Sequence, residues 1–152
     1  MYKRQLNDSV VGARRNAWAS MLREAGVEPE PWWFASGGLL LESSRDAAER
    51  LLARPDRPTA VFAATDETAY GVLLAAQRLG LRVPEDLSVA GLDDHPFSSA
   101  YGLTTVRQAP MEHGARAAAL LLHDLGVRRR AVSTAPAPVE LVVRSTTAPP
   151  AA

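Results

Sequence analysis

The side chains with chemistry to offer gather in three short stretches. "GLDDHP", Gly91 to Pro96, places two adjacent carboxylates, Asp93 and Asp94, and the imidazole of His95 at the end of an apolar run. "FAATDE", Phe62 to Glu67, ends a second apolar run in Thr65 and Asp66. "RRNAW", Arg14 to Trp18, sets Arg14 between Val11 and Trp18 on what reads as the apolar stripe of a helix. A guanidinium aimed inward needs a partner, because an unpaired buried charge is costly. Arg14 either pairs with Asp93 and clamps the fold, or faces a ligand.

Several chemistries are excluded. His95, His113 and His123 lack metal-ligand spacing, and there is no cysteine, so no metal site is expected. Neither a nucleophile elbow, a P-loop nor a dinucleotide fingerprint occurs, which leaves no cofactor and no catalytic set beside the acid pair. The chain reads as a non-enzyme. Seventeen basic against 17 acidic side chains give no net charge, unlike the basic excess of a nucleic-acid surface. No apolar run approaches the roughly 18 residues of a membrane span. The acids also have a plainer use as turn and cap residues. Asp66 in particular reads as the N-cap of a helix beginning at Glu67.

The elements that must hold these residues follow from periodicity. A first helix runs from Val10 to Ala25, capped by Asp8 or Ser9 and closed by Gly26. "WWFA", Trp32 to Ala35, reads as a short strand. Ser43 or Ser44 caps a second helix that stops before Pro55. "TAVFAA", Thr59 to Ala64, reads as a strand buried in a parallel sheet. A third helix spans Glu67 to Leu79 and closes on Gly80, with Leu81 as the hydrophobic partner of that cap. "LSVAGL", from Leu87, and "LTTVRQ", Leu103 to Gln108, are further strands. A fourth helix starts at Pro110 and ends at Gly126, the run Arg128-Arg129-Arg130 is a solvated turn, and Pro138 to Arg144 alternates as a last strand. Strands alternating with helices imply an α/β fold with a mainly parallel sheet flanked by helices. In such sheets ligands bind outside the carboxyl ends of the strands, where the polar clusters fall.

The polar start "MYKRQLND" has no secretory apolar region and no opening strand. Residues 1–8 therefore read as an atypical N-terminus, the scar of a longer chain. Residues 9–144 read as the domain, and 145–152 as a disordered tail.

The stretch "RPTAVFAATDETAYGVLLAAQRLGLRVPEDLSVAGLDDHPFSSAYGLTTVRQ" resembles the effector-binding core of LacI/GalR-type transcriptional regulators. "RRNAWASMLREAG" is similar to their pocket helix and "LVVRSTTAP" to their last strand. The resemblance implies a periplasmic-binding-protein-like (type I) fold, incomplete, consisting mostly of the C-terminal subdomain. Around Leu103 to Leu125 the chain would cross back toward the other subdomain. It further implies a cytoplasmic homodimer that senses a small molecule, a sugar or a related polyol or nucleoside. Operator DNA would be reached only through a helix-turn-helix missing from this stretch. Mapped residue by residue, the ligand-binding positions are Arg14, Thr65, Asp93 and Gln108, and the dimer interface includes Tyr70 and Tyr101. Thr65 departs from the family's usual Asn, offering one hydroxyl in place of a carbonyl and two N–H donors. The stacking aromatic of the family would fall near Leu39, so stacking would come instead from Trp32 or Trp33. Periplasmic sugar-binding proteins of transport systems share the fold and remain the alternative, but "VPEDLSVAGLDD" looks more like the regulators.

Overall fold

A computed structural model describes residues 2–38, 40–127, 133–135 and 137–149, with side chains from Val10 onward. Leu39 and the Arg128-Arg129-Arg130 run lie outside the described residues. Four strands form one sheet in the order β1 (Ala60–Phe62), β2 (Ser88–Asp93), β3 (Thr104–Arg107) and β4 (Glu140–Val142). β1, β2 and β3 run parallel, with Phe62 opposite Ala90 and Asp93 opposite Arg107, while β4 is antiparallel to β3. The mainly parallel α/β architecture expected from the sequence is the one observed.

Parallel neighbours need a crossover, and α3 (Asp66–Arg78) supplies it between β1 and β2. α3 starts at a reciprocal cap: Thr65 Oγ1 accepts from the Thr68 N–H at 3.2 Å, and Thr68 Oγ1 accepts from the Thr65 N–H at 3.0 Å. It ends on Gly80 in the left-handed region, with the Leu81 N–H donating to the Ala76 carbonyl. The inward face of α3 includes the small residues Ala69, Ala75 and Ala76, all fully buried, beside the larger Tyr70 and Val72. The small residues let α2 (Leu41–Leu52) approach closely, and the core forms where both helices meet Leu87, Val89 and Leu103 of the sheet. α1 (Tyr2–Glu24) lies toward the other face, where Phe62 and Leu92 form one wall of a cleft whose other wall is Arg14, Ala17, Trp18 and Met21. α4 (Pro110–Asp124) leads from β3 toward β4 and leaves Met111, Leu121, Leu122 and Leu125 exposed.

Five local expectations are corrected. α1 already runs from Tyr2, so residues 2–8 are its first turns, and Asp8 and Ser9 lie inside the helix rather than capping it. Pro31–Trp33 is a 3₁₀ turn and no strand, since Pro31 at its first position sets a helical φ. Without a strand at Trp32 to Ala35 beside it, β1 is an edge, and Ala60 and Phe62 are exposed rather than buried. α2 begins at Leu41 with Leu40 at the N-cap, and Ser43 turns its hydroxyl back to the Leu40 carbonyl at 3.0 Å. The supposed tail is ordered over Ser145 to Ala148: Thr146 is buried, its N–H donates to the Gly102 carbonyl, and its carbonyl accepts from Val89. Its hydroxyl donates to the Val89 carbonyl at 2.7 Å and accepts from the Thr104 N–H at 2.9 Å. Thr146 thereby completes the ladder beside the first residues of β2.

Gly71 gives the helix contact its tightest point. A Cβ there would lie 2.8 Å from the Arg45 nitrogen and 2.9 Å from the Leu41 carbonyl oxygen, backbone atoms that no rotamer change can move. Gly71→Ala should destabilise by about 1–3 kcal/mol through overpacking, although alanine is the better helix former by about 1 kcal/mol. Gly12→Ala, with open space around the new methyl, should do the reverse. Paired thermal melts separate the two effects.

Candidate functional site

The carboxyl ends of three parallel strands lie on one edge of the sheet, so the residues following β1, β2 and β3 meet there. From β2 comes the acid pair. Asp93 and Asp94 have φ of 131° and 55°, two consecutive non-glycine residues in a region that L side chains rarely adopt. From β3 comes Gln108, whose Nε2 donates to Asp93 Oδ1 at 2.6 Å. From α1 comes Arg14, whose Nη1 donates to the Ala64 carbonyl, just past β1, at 2.6 Å. Arg14 does not form an ion pair with Asp93, though its positive charge is near enough to favour the ionised carboxylate.

The two acids face different surroundings. Asp94 accepts from Arg107 Nε at 2.6 Å on one oxygen and from Arg144 Nη2 at 2.7 Å on the other. Arg107 also holds Glu140 at 2.7 Å, and Arg144 donates to the Leu103 carbonyl at 2.7 Å. Burial pushes the Asp94 carboxyl up, but the hydrogen bonds and charges of these arginines outweigh it and hold the group below the usual carboxylate range. Among the described residues Asp93 has one neutral donor and no bonded cation. Burial pushes its carboxyl above the ordinary value, with Arg14 and Gln108 opposing and the negative charges of Asp66 and Glu67 adding to the rise. Asp94 is thus a structural ion pair, whereas Asp93 retains acceptor capacity.

Asp66 does not cap α3. Thr65 holds that position, and Asp66, with none of its surface exposed, points into the sheet. Its Oδ2 accepts from the His95 N–H at 2.8 Å and the Ser98 hydroxyl at 2.5 Å, and its Oδ1 from the Thr105 hydroxyl at 2.6 Å. Gly91 faces this carboxylate so closely that a Cβ would collide with Oδ1. Nothing in local spacing separates a capping Asp from a buried one, so the sequence reading missed Asp66, Ser98 and Thr105. It missed Arg107 and Arg144 for the same reason, since both act over long sequence separations.

Thr65 is at the edge as expected, but its hydroxyl is engaged in the α3 cap. Trp32 and Trp33 stand with other aromatics. Trp33 meets Trp18 edge-on at 6.4 Å, and Arg54 lies 4.1 Å over the Trp32 ring. Trp18, one helical turn beyond Arg14, shares the cleft with Arg14 and Leu92. Tyr70 is buried, its hydroxyl 2.9 Å from Ser98 Oγ and its ring stacked on Tyr101 at 4.8 Å. Tyr101 and Phe97 are exposed beside it. Among the described residues no group of three acidic or histidine side chains could hold a metal ion.

A parallel sheet with its polar residues on one strand edge is the architecture of a ligand-binding α/β core, and the comparisons place it. The family described as periplasmic binding protein-like domain matches residues 3–147, and the chain belongs to that family. Its relatives within the family are LacI-type transcriptional regulators. The HTH-type transcriptional repressor PurR of Edwardsiella ictaluri is 34% identical over 139 residues, covering 90% of this chain and 41% of the repressor. A LacI family transcriptional regulator from Mycobacterium smegmatis superimposes with TM-score 0.76 at 38% identity, covering 91% of this chain and 52% of that one. A Lactobacillus casei regulator with bound sucrose gives TM-score 0.76 at 27% identity, with 90% and 51% covered. The chain therefore spans about two-fifths of the length of the curated repressor and about half of each solved regulator.

The contrast between the two acids has a measurable consequence for stability. The carboxyl of Asp93 is raised, so its ionisation costs stability at neutral pH, a cost relieved as pH falls through the raised value. The carboxyl of Asp94 is lowered, so it contributes stability above the ordinary carboxylate value that is lost as pH falls through the lowered one. Asp94→Asn should therefore lower stability at pH 7 by roughly 2 kcal/mol, the worth of a hydrogen bond to a charged group. Asp93→Asn should leave the unliganded melting temperature unchanged or raised. Thermal melts of both variants at pH 7 and pH 4 check the signs.

Proposed function

We propose that this chain is the effector-binding and dimerisation portion of a LacI-type transcriptional regulator, acting as a repressor. The observation that carries the reading is Asp93: a half-buried carboxylate at the tip of β2, held in a rare backbone conformation and, among the described residues, without a bonded cation. A site built only for stability would neutralise it, as Asp94 is neutralised. Asp93 offers acceptors, Gln108 and Arg14 offer donors, and together they match the alternating donor and acceptor edges of a polyol. The effector class is a sugar or a related polyol or nucleoside, a reading supported by the sucrose carried by the Lactobacillus casei regulator. Thr65 stands at the same strand edge with its hydroxyl engaged in the α3 cap, and its part in the site is to hold that edge beside the effector. Stacking on the effector falls to Trp18 more naturally than to Trp32 or Trp33, because Trp18 shares the cleft with Arg14. The parent protein is cytoplasmic, performs no catalysis, and reaches operator DNA through a helix-turn-helix outside this stretch.

Losing one hydrogen bond to a charged group costs about 1.5–3 kcal/mol, so Asp93→Asn should weaken effector binding roughly tenfold to a hundredfold. Calorimetric titration of the intact regulator with D-glucose, sucrose and adenosine, beside a gel shift on its operator, tests this. The expected variant is effector-blind and still bound to DNA. Unchanged affinity for a compound that the wild type binds would refute the role of Asp93.

The partner is a second copy of the chain, meeting it through the face that carries Tyr101. Tyr70 supports that face from beneath rather than contacting the partner, since it is buried and hydrogen-bonded to Ser98. Tyr101→Asp, at an exposed position, should give monomers in sedimentation without loss of fold; a persisting dimer would reject the interface.

A further inference from the structure

Two consecutive non-glycine residues in the left-handed region persist only where their surroundings over-determine them. At Asp93 and Asp94 the surroundings can be named. The Asp94 N–H donates to Thr105 Oγ1 at 3.3 Å, and the Thr105 hydroxyl donates in turn to Asp66 Oδ1 at 2.6 Å. One residue further on, the His95 N–H donates directly to Asp66 Oδ2 at 2.8 Å. A single carboxylate therefore holds two successive backbone amides of the tip, one through a hydroxyl and one without an intermediary. Asp66 itself cannot shift toward β2, because the Gly91 backbone already lies against its Oδ1. Asp66 and Thr105 are both fully buried, so neither can touch a bound molecule.

We propose that Asp66 and Thr105 are positioning residues, a buried carboxylate–hydroxyl pair that sets the backbone of the Asp93-Asp94 tip and with it the aim of the Asp93 carboxylate. The significance for binding rests on the effector role given to Asp93 above; the control of tip geometry does not. A purely structural role would tie α3 to the sheet and nothing more. That tie has an independent strand through Ser98, whose hydroxyl meets Asp66 at 2.5 Å without touching the acid tip. Thr105 and Ser98 thus share one acceptor group but lead to different places, and comparing them separates positioning from general stability.

Three variants of the intact regulator decide the matter. Thr105→Val keeps the shape and removes the hydroxyl, Thr105→Ser restores the hydroxyl, and Ser98→Ala removes the other donor to Asp66. The readouts are amide hydrogen exchange along β2 and crystal structures of the variants. Thr105→Val should speed exchange at Asp94 by roughly tenfold relative to Val89, the scale of one lost hydrogen bond, and should release Asp93 from its positive φ. Thr105→Ser should return both toward wild type, and Ser98→Ala should lower the melting temperature while leaving Asp94 protected. If Thr105→Val does not fold, Thr105→Cys, of similar volume and weaker hydrogen bonding, takes its place in the same comparison. An Asp94 amide as protected as before, an unchanged φ at Asp93, or equal losses in Thr105→Val and Ser98→Ala would overturn the proposal. Titration with D-glucose and sucrose, with Asp93→Asn alongside, judges the effector role separately: an unaffected Asp93→Asn removes that role while the exchange data still decide the tip.

Discussion

A carboxylate with none of its surface in water organises the functional edge of this sheet. Moving an isolated ionised carboxylate out of water costs on the order of tens of kcal/mol in the limiting case, so Asp66 is tolerable only with its donors in place. Those donors come from the β2–β3 connection and from β3 itself: the His95 amide, the Ser98 hydroxyl and the Thr105 hydroxyl. The requirement draws the chain after Asp94 against the sheet, through the His95 amide and the Ser98 hydroxyl. It also explains why glycine stands at position 91, where any side chain would displace the carboxylate. The Tyr70 hydroxyl completes the group by meeting Ser98, which places the Tyr70–Tyr101 stack one bond away from the same centre.

Around that centre three aspartates of one sheet edge have separate fates. Asp66 is satisfied by neutral donors and fixes geometry. Asp94 is satisfied by two arginines and fixes β2 to β3 and to the segment after β4. Asp93 is met, among the described residues, by one amide and keeps lone pairs in reserve. Rare backbone angles of the kind seen at Asp93 and Asp94 cost on the order of 1–3 kcal/mol each, and the bonds of Asp94 and Thr105 are of a size to offset them. A site that spends its ion pairs on the second acid can leave the first one open.

Much of this was legible in the residues. The apolar runs and helical stripes predicted β1–α3–β2 and the closing Gly80, and the strand tips predicted where polar residues would gather. The family resemblance added Arg14, Asp93 and Gln108 as separate ligand-binding positions, and the hydrogen bond between Gln108 and Asp93 was not part of it. What escaped was decided by tertiary contact. Thr65 and Asp66 are both good cap formers and adjacent, so local propensity could not say which would cap and which would be buried. Trp32 and Trp33 have strand-forming side chains, but Pro31 turned them into a 3₁₀ turn. Ser145 to Ala148 looked like a tail because its bonds run to Val89, Gly102 and Thr104, partners more than 40 residues away.

That last strap bears on how the protein is made. Thr146 supplies both a carbonyl and a hydroxyl to the start of β2 and receives the Thr104 amide, so this end of the sheet's ladder is finished by a residue that follows β3 and α4 in the chain. A nascent chain that has already released β1, α3, β2 and β3 from the ribosome still lacks these partners. The Val89 and Thr104 groups must then wait in water, or with a chaperone, until Thr146 has left the ribosome. Cotranslational folding of this unit is therefore gated by Thr146, and ribosomes stalled or terminated before it yield a sheet with an open seam.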